Sequence, residues 1–118
     1  MTMLTVNVQS APPTVTLLCQ GRIVLGVEAE TLRCIATSRP ERRLVVDLRD
    51  VYGMDASGLG LLVELHCWSR QRSGWMSIAN PSACVRRLMT ITNLESVLEF
   101  ESLRAEDLDA DEQRAMTA

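Results

Sequence analysis

Apolar and polar positions change rhythm several times along this chain, and each change predicts an element. Leu4 to Val8 and Val15 to Cys19 are short, β-branched runs, separated by Gln9-Ser10-Ala11-Pro12-Pro13-Thr14, a turn by composition. Together they predict a hairpin. Gly21 and Gly26 bracket Arg22-Ile23-Val24-Leu25, a connection whose form the pattern leaves open. From Val27 to about Thr37, Ala29, Leu32 and Ile35/Ala36 recur at helical spacing, and Pro40 closes the segment. Leu44 to Leu48 is a near-continuous apolar run, the mark of a central strand buried on both faces. Asp47 and Asp50 read as strand-end and loop carboxylates.

The clearest helix runs from Ser57 to Arg72. Leu59, Leu62, Val63, His66 and Cys67 share one face and are its predicted core side. Gly74 ends it, and Trp75 to Ala79 is the next strand. Asn80-Pro81 reads as an N-cap followed by proline at the first helical position. That helix reaches about Thr92, with Val85, Leu88 and Met89 inward and Asn93 in the left-handed C-terminal position. Val97 to Phe100 is the last strand, and a polar helix from Leu103 is expected to follow.

The order is therefore β-β-α-β-α-β-α-β-α. Three strand–helix–strand units imply parallel pairing through right-handed crossovers, with the hairpin adding one antiparallel pair. The expected fold is α/β: a mixed, mostly parallel sheet of four to five strands with about four helices. The chain's 118 residues suit one domain, 1–118, with 101–118 an acidic C-terminal helix or tail.

Composition narrows the chemistry. With a net charge of −3, a nucleic-acid backbone is a poor partner. All the basic residues are arginine, a compositional bias. No run approaches the ~20 apolar residues of a membrane span, and Met1 to Val8 lacks the features of a secretory signal. A cytoplasmic protein without membrane insertion is expected. Cys19, Cys34, Cys67 and Cys84 are too widely spaced for a CxxC site and read as buried thiols in a reducing compartment.

The informative segment is Val51-Tyr52-Gly53-Met54-Asp55-Ala56-Ser57-Gly58-Leu59-Gly60, which joins the central strand to the best helix. Asp55 is placed to cap that helix, and Ser57 falls in its first turn. Gly58 and Gly60 are poor helix formers, each costing ~1 kcal/mol against alanine, which suits close approach to the backbone. A phosphate on Ser57 would meet the positive end of the helix dipole and bring roughly −1.5 to −2 charges near Asp55, changing the surface and sparing the fold. The same residues would also serve as ordinary capping and turn positions.

Here the sequence resembles a family. Leu44 to Leu48, Met54-Asp55-Ala56-Ser57-Gly58-Leu59-Gly60, Asn80-Pro81-Ser82 and Ile91-Thr92-Asn93-Leu94 are similar to the STAS domain of bacterial anti-sigma factor antagonists, over about Val15 to Phe100. That family's phosphoacceptor serine falls on Ser57 and its preceding acidic residue on Asp55. Ala56 replaces the first serine of the pair, and Asn93 stands where glycine is usual. The resemblance implies a binding protein, not an enzyme, with no cofactor of its own. It implies that the unphosphorylated form binds an anti-sigma factor with serine kinase activity and frees a sigma factor, that the kinase inactivates it at Ser57, and that a phosphatase restores it. A homodimer is compatible with it. STAS subunits of lipid-transport (ABC) complexes or of stress-sensing assemblies are the alternative.

A hydrolase fits poorly: Asp55 stands where a nucleophile elbow needs glycine, and His66 lies roughly 13 Å along the helix from Ser57. Gly58-Leu59-Gly60 lacks the third glycine of a dinucleotide fingerprint. By helical rotation, Leu61 and Trp68 lie within about 40° of Ser57 and Glu64 within about 20°. With Met54 beside them, these residues form the expected partner-binding stripe, the alternative being that a neighbouring helix covers Leu61 and Trp68 as core, and Gly58 with Asp55 supports the phosphosite.

Overall fold

The computed structural model describes residues 3–101. Two long strands open the chain, β1 (Leu4–Ala11) and β2 (Thr14–Ile23), joined by Pro12-Pro13. They are followed by α1 (Val27–Thr37), β3 (Arg43–Met54), α2 (Ala56–Gln71), β4 (Trp75–Ala79), α3 (Ala83–Thr92), a 3₁₀ turn at Leu94–Ser96 and β5 (Phe100–Glu101). The hairpin strands extend well beyond their β-branched cores because the turn is only the proline pair. β2 also absorbs the connection left open in the sequence. Its Gly21 has φ +120°, and a Cβ there would meet the Met3 carbonyl oxygen at 1.9 Å, so only glycine lets the two strands lie this close. The last strand is shorter and later than expected because the 3₁₀ turn takes up part of Val97 to Phe100's approach. The expected helix from Leu103 lies outside the described residues.

One five-stranded sheet has the order β1-β2-β3-β4-β5. β1 pairs antiparallel with β2, and every later pair is parallel. Strands are thus added always in one direction. With right-handed crossovers, that order puts all three helices on one face of the sheet. Strand alternation agrees. Val15, Leu17 and Cys19, Leu44, Val46 and Leu48, and Met76 and Ile78 all join one cluster with Leu32, Leu62, Leu65, Val85 and Met89 of the helices.

The central run behaves as predicted: Leu44, Val45, Val46, Asp47 and Leu48 are all buried. β3 does not stop at Asp47 or Asp50, however, but continues to Met54. Away from the helices, the groups around Asp47 and Ser77 are polar. Asn80 Nδ2 donates to Asp47 Oδ2 at 3.2 Å, Ser77 donates to Glu101, and Arg43 Nη2 donates to Glu101 at 2.9 Å.

Asn80 was expected to cap α3 and does not. Its φ is +50° and its amide is committed to Asp47, so capping passes to Ser82, whose Oγ accepts from the Val85 N–H at 3.4 Å and donates to the Val51 carbonyl. Asn93 adopts the left-handed conformation predicted for it, with φ 61°. Of the four thiols only Cys19 is fully buried, and burial, with Asp47 nearby, pushes it up to about 12. Cys34 and Cys67 are exposed and Cys84 is half-buried, against expectation. All four are free.

Candidate functional site

Asp55 is the single residue between the end of β3 and the start of α2. Its backbone is extended, as an N-cap requires, and its Oδ1 accepts from the Gly58 N–H at 3.0 Å. Its other oxygen reaches further: Oδ2 accepts from the Leu25 N–H, also at 3.0 Å, in the turn between β2 and α1. These bonds, Leu25's first, hold the Asp55 carboxyl below the usual carboxylate range. One side chain therefore caps α2 and ties it to the turn before α1.

Gly58 is required by that arrangement. A Cβ there would meet the Ile23 carbonyl oxygen at 2.2 Å and Met54 Cγ at 2.7 Å, so α2's first turn sits directly on the end of β2. Gly60 differs, for a Cβ there would meet nothing within 4 Å. The sequence treats the two glycines alike, and the structure separates them. Gly58 is packed against backbone, while Gly60 borders open space.

That space is a groove of about 760 Å³ between α1 and α2, lined by Ser57, Gly60, Leu61, Leu25, Val27 and Arg33 among others. Ser57, half-buried, stands at its head as the second residue of α2. Leu25 and Val27 flank Gly26 beside it and are 75% and 64% exposed. Two such neighbouring side chains in the turn that Asp55 holds form an apolar lip next to the serine.

The other rim is ionic. Arg33 of α1 donates through Nε and Nη2 to both carboxylate oxygens of Glu64 on α2, each at 2.9 Å, and through Nη1 to Glu30 at 2.7 Å. Arg33 thereby lowers the Glu64 pKa, and its own is raised by the two carboxylates. The guanidinium is held between two carboxylates. A phosphate on Ser57 would find it engaged and would add negative charge beside Asp55, Glu30 and Glu64.

The expected partner-binding stripe does not survive intact. Leu61 is 2% exposed and belongs to the core. The buried side of α2 is Gly58, Leu59, Leu61, Leu62, Leu65 and Ser69, turned toward α1 relative to the predicted face. Val63 and His66 are only half-buried and Cys67 is exposed. The cause is that α2 packs on two neighbours, the sheet beneath and α1 beside it. A glycine and a serine complete its inner side, where periodicity of large apolar residues cannot see them.

Trp68 packs against the core under the Arg72 guanidinium, 4.4 Å from its ring centroid. Arg72 in turn donates to the carbonyls of Arg39 and Pro40 after α1. Trp68 thus closes the far end of the helix pair, roughly 16 Å along α2 from Ser57 at 1.5 Å per residue. Met54 is half-buried against the core, and Glu64 is the stripe member that stands on the groove. Leu25, Val27 and Arg33 were missed. The available signal was a pair of large apolar residues around Gly26 in a segment with no strand or helix rhythm.

A scan of protein families matches the STAS domain over residues 5–106. A STAS-domain containing protein of Pseudomonas aeruginosa is 37% identical over 59 residues, 50% of this chain and 58% of the relative, so the match spans little more than half of that protein. Among solved structures, the anti-sigma factor antagonist SpoIIAA in its unphosphorylated form superposes with TM-score 0.70 at 21% identity, covering 97% of this chain and all of that one. The Bacillus cell fate determinant SpoIIAA in its phosphorylated form gives TM-score 0.70 at 16% identity, over 88% of this chain and 96% of that one. An anti-sigma factor antagonist from Mycobacterium paratuberculosis gives 0.67 at 18%, over 82% and 84%. At these identities the superpositions speak for the fold. Among the described residues no helix is long and apolar enough to cross a membrane.

Proposed function

This chain belongs to the STAS domain family, and on that footing we propose that it is an anti-sigma factor antagonist switched by phosphorylation of Ser57. The observation that carries this reading is the placement of Ser57. It stands in the first turn of a helix capped by Asp55, at the head of a groove whose lip is the exposed pair Leu25 and Val27. Unmodified, that lip and the groove offer an apolar docking surface to an anti-sigma factor with serine kinase activity, and binding frees the sigma factor. Glu64 on the rim and Met54 near the helix start border the contact. Modified, Ser57 carries about two negative charges at a rim already acidic, and the partner would have to desolvate them to dock.

The chain acts by binding and not by catalysis. It works in the cytoplasm, the phosphoryl donor and its Mg²⁺ belong to the kinase, and a phosphatase reverses the switch. The structures that superpose on it include an antagonist described in both unphosphorylated and phosphorylated forms, which supports a fold that tolerates the modification.

The test is to incubate the protein with ATP, Mg²⁺ and its cognate kinase and to map the product by mass spectrometry. Phosphate on Ser57, abolished in Ser57→Ala, is the expected result. Ser69 is 1% exposed and so inaccessible in the folded chain, and the half-buried Ser82 has its hydroxyl engaged as the α3 cap. Phosphate mainly on Ser73 or Ser96, or none at all, would overturn the reading.

A further inference from the structure

Arg33 is the one cation among the described residues that line the groove, and it stands between two carboxylates. Its bonds to Glu64 cross from α1 to α2, while its bonds to Glu30 stay within α1. The Glu30 and Glu64 side chains are 58% and 50% exposed. Exposed ion pairs contribute little net stability, because water solvates the separated charges nearly as well. The arrangement is ordered but easily exchanged, and a stronger anion within reach would take the guanidinium.

Ser57 is within that reach. Three sets of bonds tie the α1 and α2 segments together at near-constant spacing: Leu25 with Asp55, Arg33 with Glu64, and Arg39 with Arg72. The two helices therefore run side by side in the same direction. Glu30 falls level with Leu61, four residues past Ser57, and Glu64 is seven residues past it. A guanidinium that bridges those carboxylates lies roughly 6–10 Å along α2 from the serine, at 1.5 Å per residue. Helical side chains lean toward the N-terminus, and the Arg33 bond to Glu30, three residues earlier, shows that lean. Arg33 already points along the groove toward Ser57. Gly60, which stands between them, has no side chain to bar the way.

We propose that Arg33 is the phosphate-binding residue of this switch: when Ser57 is phosphorylated, the guanidinium leaves Glu64 and pairs with the phosphate. This rests on the reading of Ser57 as the phosphoacceptor, and it says how the chain registers the modification. Phosphate is the better competitor. It carries about −1.5 to −2 charges on three acceptor oxygens, against one charge on a carboxylate, and it accepts the paired N–H donors of a planar guanidinium. The exchange has two consequences. The bond between α1 and α2 at Glu64 is released, which leaves that carboxylate without its cation. The Arg33 side chain comes to lie over Gly60, beside the lip of Leu25 and Val27, where an apolar partner would seat. The partner then meets an occupied groove as well as added charge.

The test uses the full chain with phosphoserine placed at position 57 during translation. Phosphorus NMR then follows the second ionisation of the phosphate. An arginine at bonding distance favours the dianion, so the midpoint should lie about 0.5–1 pH unit below that of the same chain carrying Arg33→Gln. Arg33→Lys keeps the charge without the planar fork and should fall between the two. The Arg33 Nε–H signal, identified by its loss in Arg33→Gln, should move on phosphorylation and titrate with the midpoint of the phosphate itself. Should Arg33→Gln fail to fold, Arg33→Lys supplies both comparisons, with a smaller difference in midpoint. Equal midpoints with and without Arg33, or an Nε–H signal that does not follow the phosphate's ionisation, would each overturn the proposal. None of these readouts uses the kinase, so they hold or fail apart from the assignment of Ser57 as its target.

Discussion

The N–H of Leu25 donates to Asp55 Oδ2 at 3.0 Å across thirty positions of chain, and that bond fixes the exposed turn before α1 against the start of α2. Asp55→Ala removes this bond and the cap to Gly58 together, and should lower stability by about 1–2 kcal/mol in urea unfolding. Asp55→Asn keeps one carbonyl oxygen as an acceptor and should fall between. The sign with pH follows from a carboxyl whose native pKa is lowered. Its contribution is complete above the ordinary value of about 4 and is lost as pH falls through the lower native value. The acid-unfolding profile of Asp55→Ala should be flatter over that interval than that of the wild type.

The two glycines of α2's first turn should respond in opposite ways. Gly58→Ala drives a methyl into the Ile23 carbonyl and should destabilise by more than ~2 kcal/mol, visible as a large drop in Tm. Gly60→Ala meets nothing and removes a poor helix former, so it should stabilise by up to ~1 kcal/mol. It also narrows the groove beside Ser57. Stability up with partner affinity down, read by calorimetry on one protein, is the expected pair of results for Gly60→Ala.

Leu61→Ala should cost ~2–4 kcal/mol, since its side chain is core and not an exposed anchor. Trp68→Ala should also lower Tm, through the lost packing under Arg72. The folded fraction of Trp68→Ala, whose side chain lies at the far end of α2 from the groove, should bind the anti-sigma partner normally. Leu25→Ala and Val27→Ala should do the reverse, weakening binding with Tm nearly unchanged.

Ser57→Asp should leave the fold intact and weaken partner binding, less completely than phosphate does, because one carboxylate carries less charge. Ser57→Ala should match wild type in both stability and binding, since the cap belongs to Asp55. Calorimetric titration of both variants against the partner is the measurement.

The pattern of apolar residues was enough for the order of elements through the last strand, the α1 bounds, the burial of Leu44 to Leu48 and the left-handed Asn93, because each is decided within a few neighbouring residues. It was also enough for Asp55 as cap and Ser57 in the first turn. It failed where a distant group intervenes. Asn80 looks like a cap until Asp47 claims its amide from another strand. The buried side of α2 turns toward α1, a neighbour that periodicity within α2 cannot register. The groove went unread because Leu25 and Val27 sit in a segment with no rhythm. Their importance arises from the Asp55 bond, which joins residues thirty positions apart.

The sheet order repeats the chain order, so every strand lies against the one synthesised just before it. A chain leaving the ribosome can therefore add each βα unit to a template already in place, with no strand waiting for a later one to be inserted beside it. The elements that carry Leu25, Arg33, Asp55, Ser57, Gly60 and Glu64 all precede β4. The groove between α1 and α2, with Ser57 at its head, is thus encoded entirely ahead of β4, and the last βαβ unit contributes none of its lining.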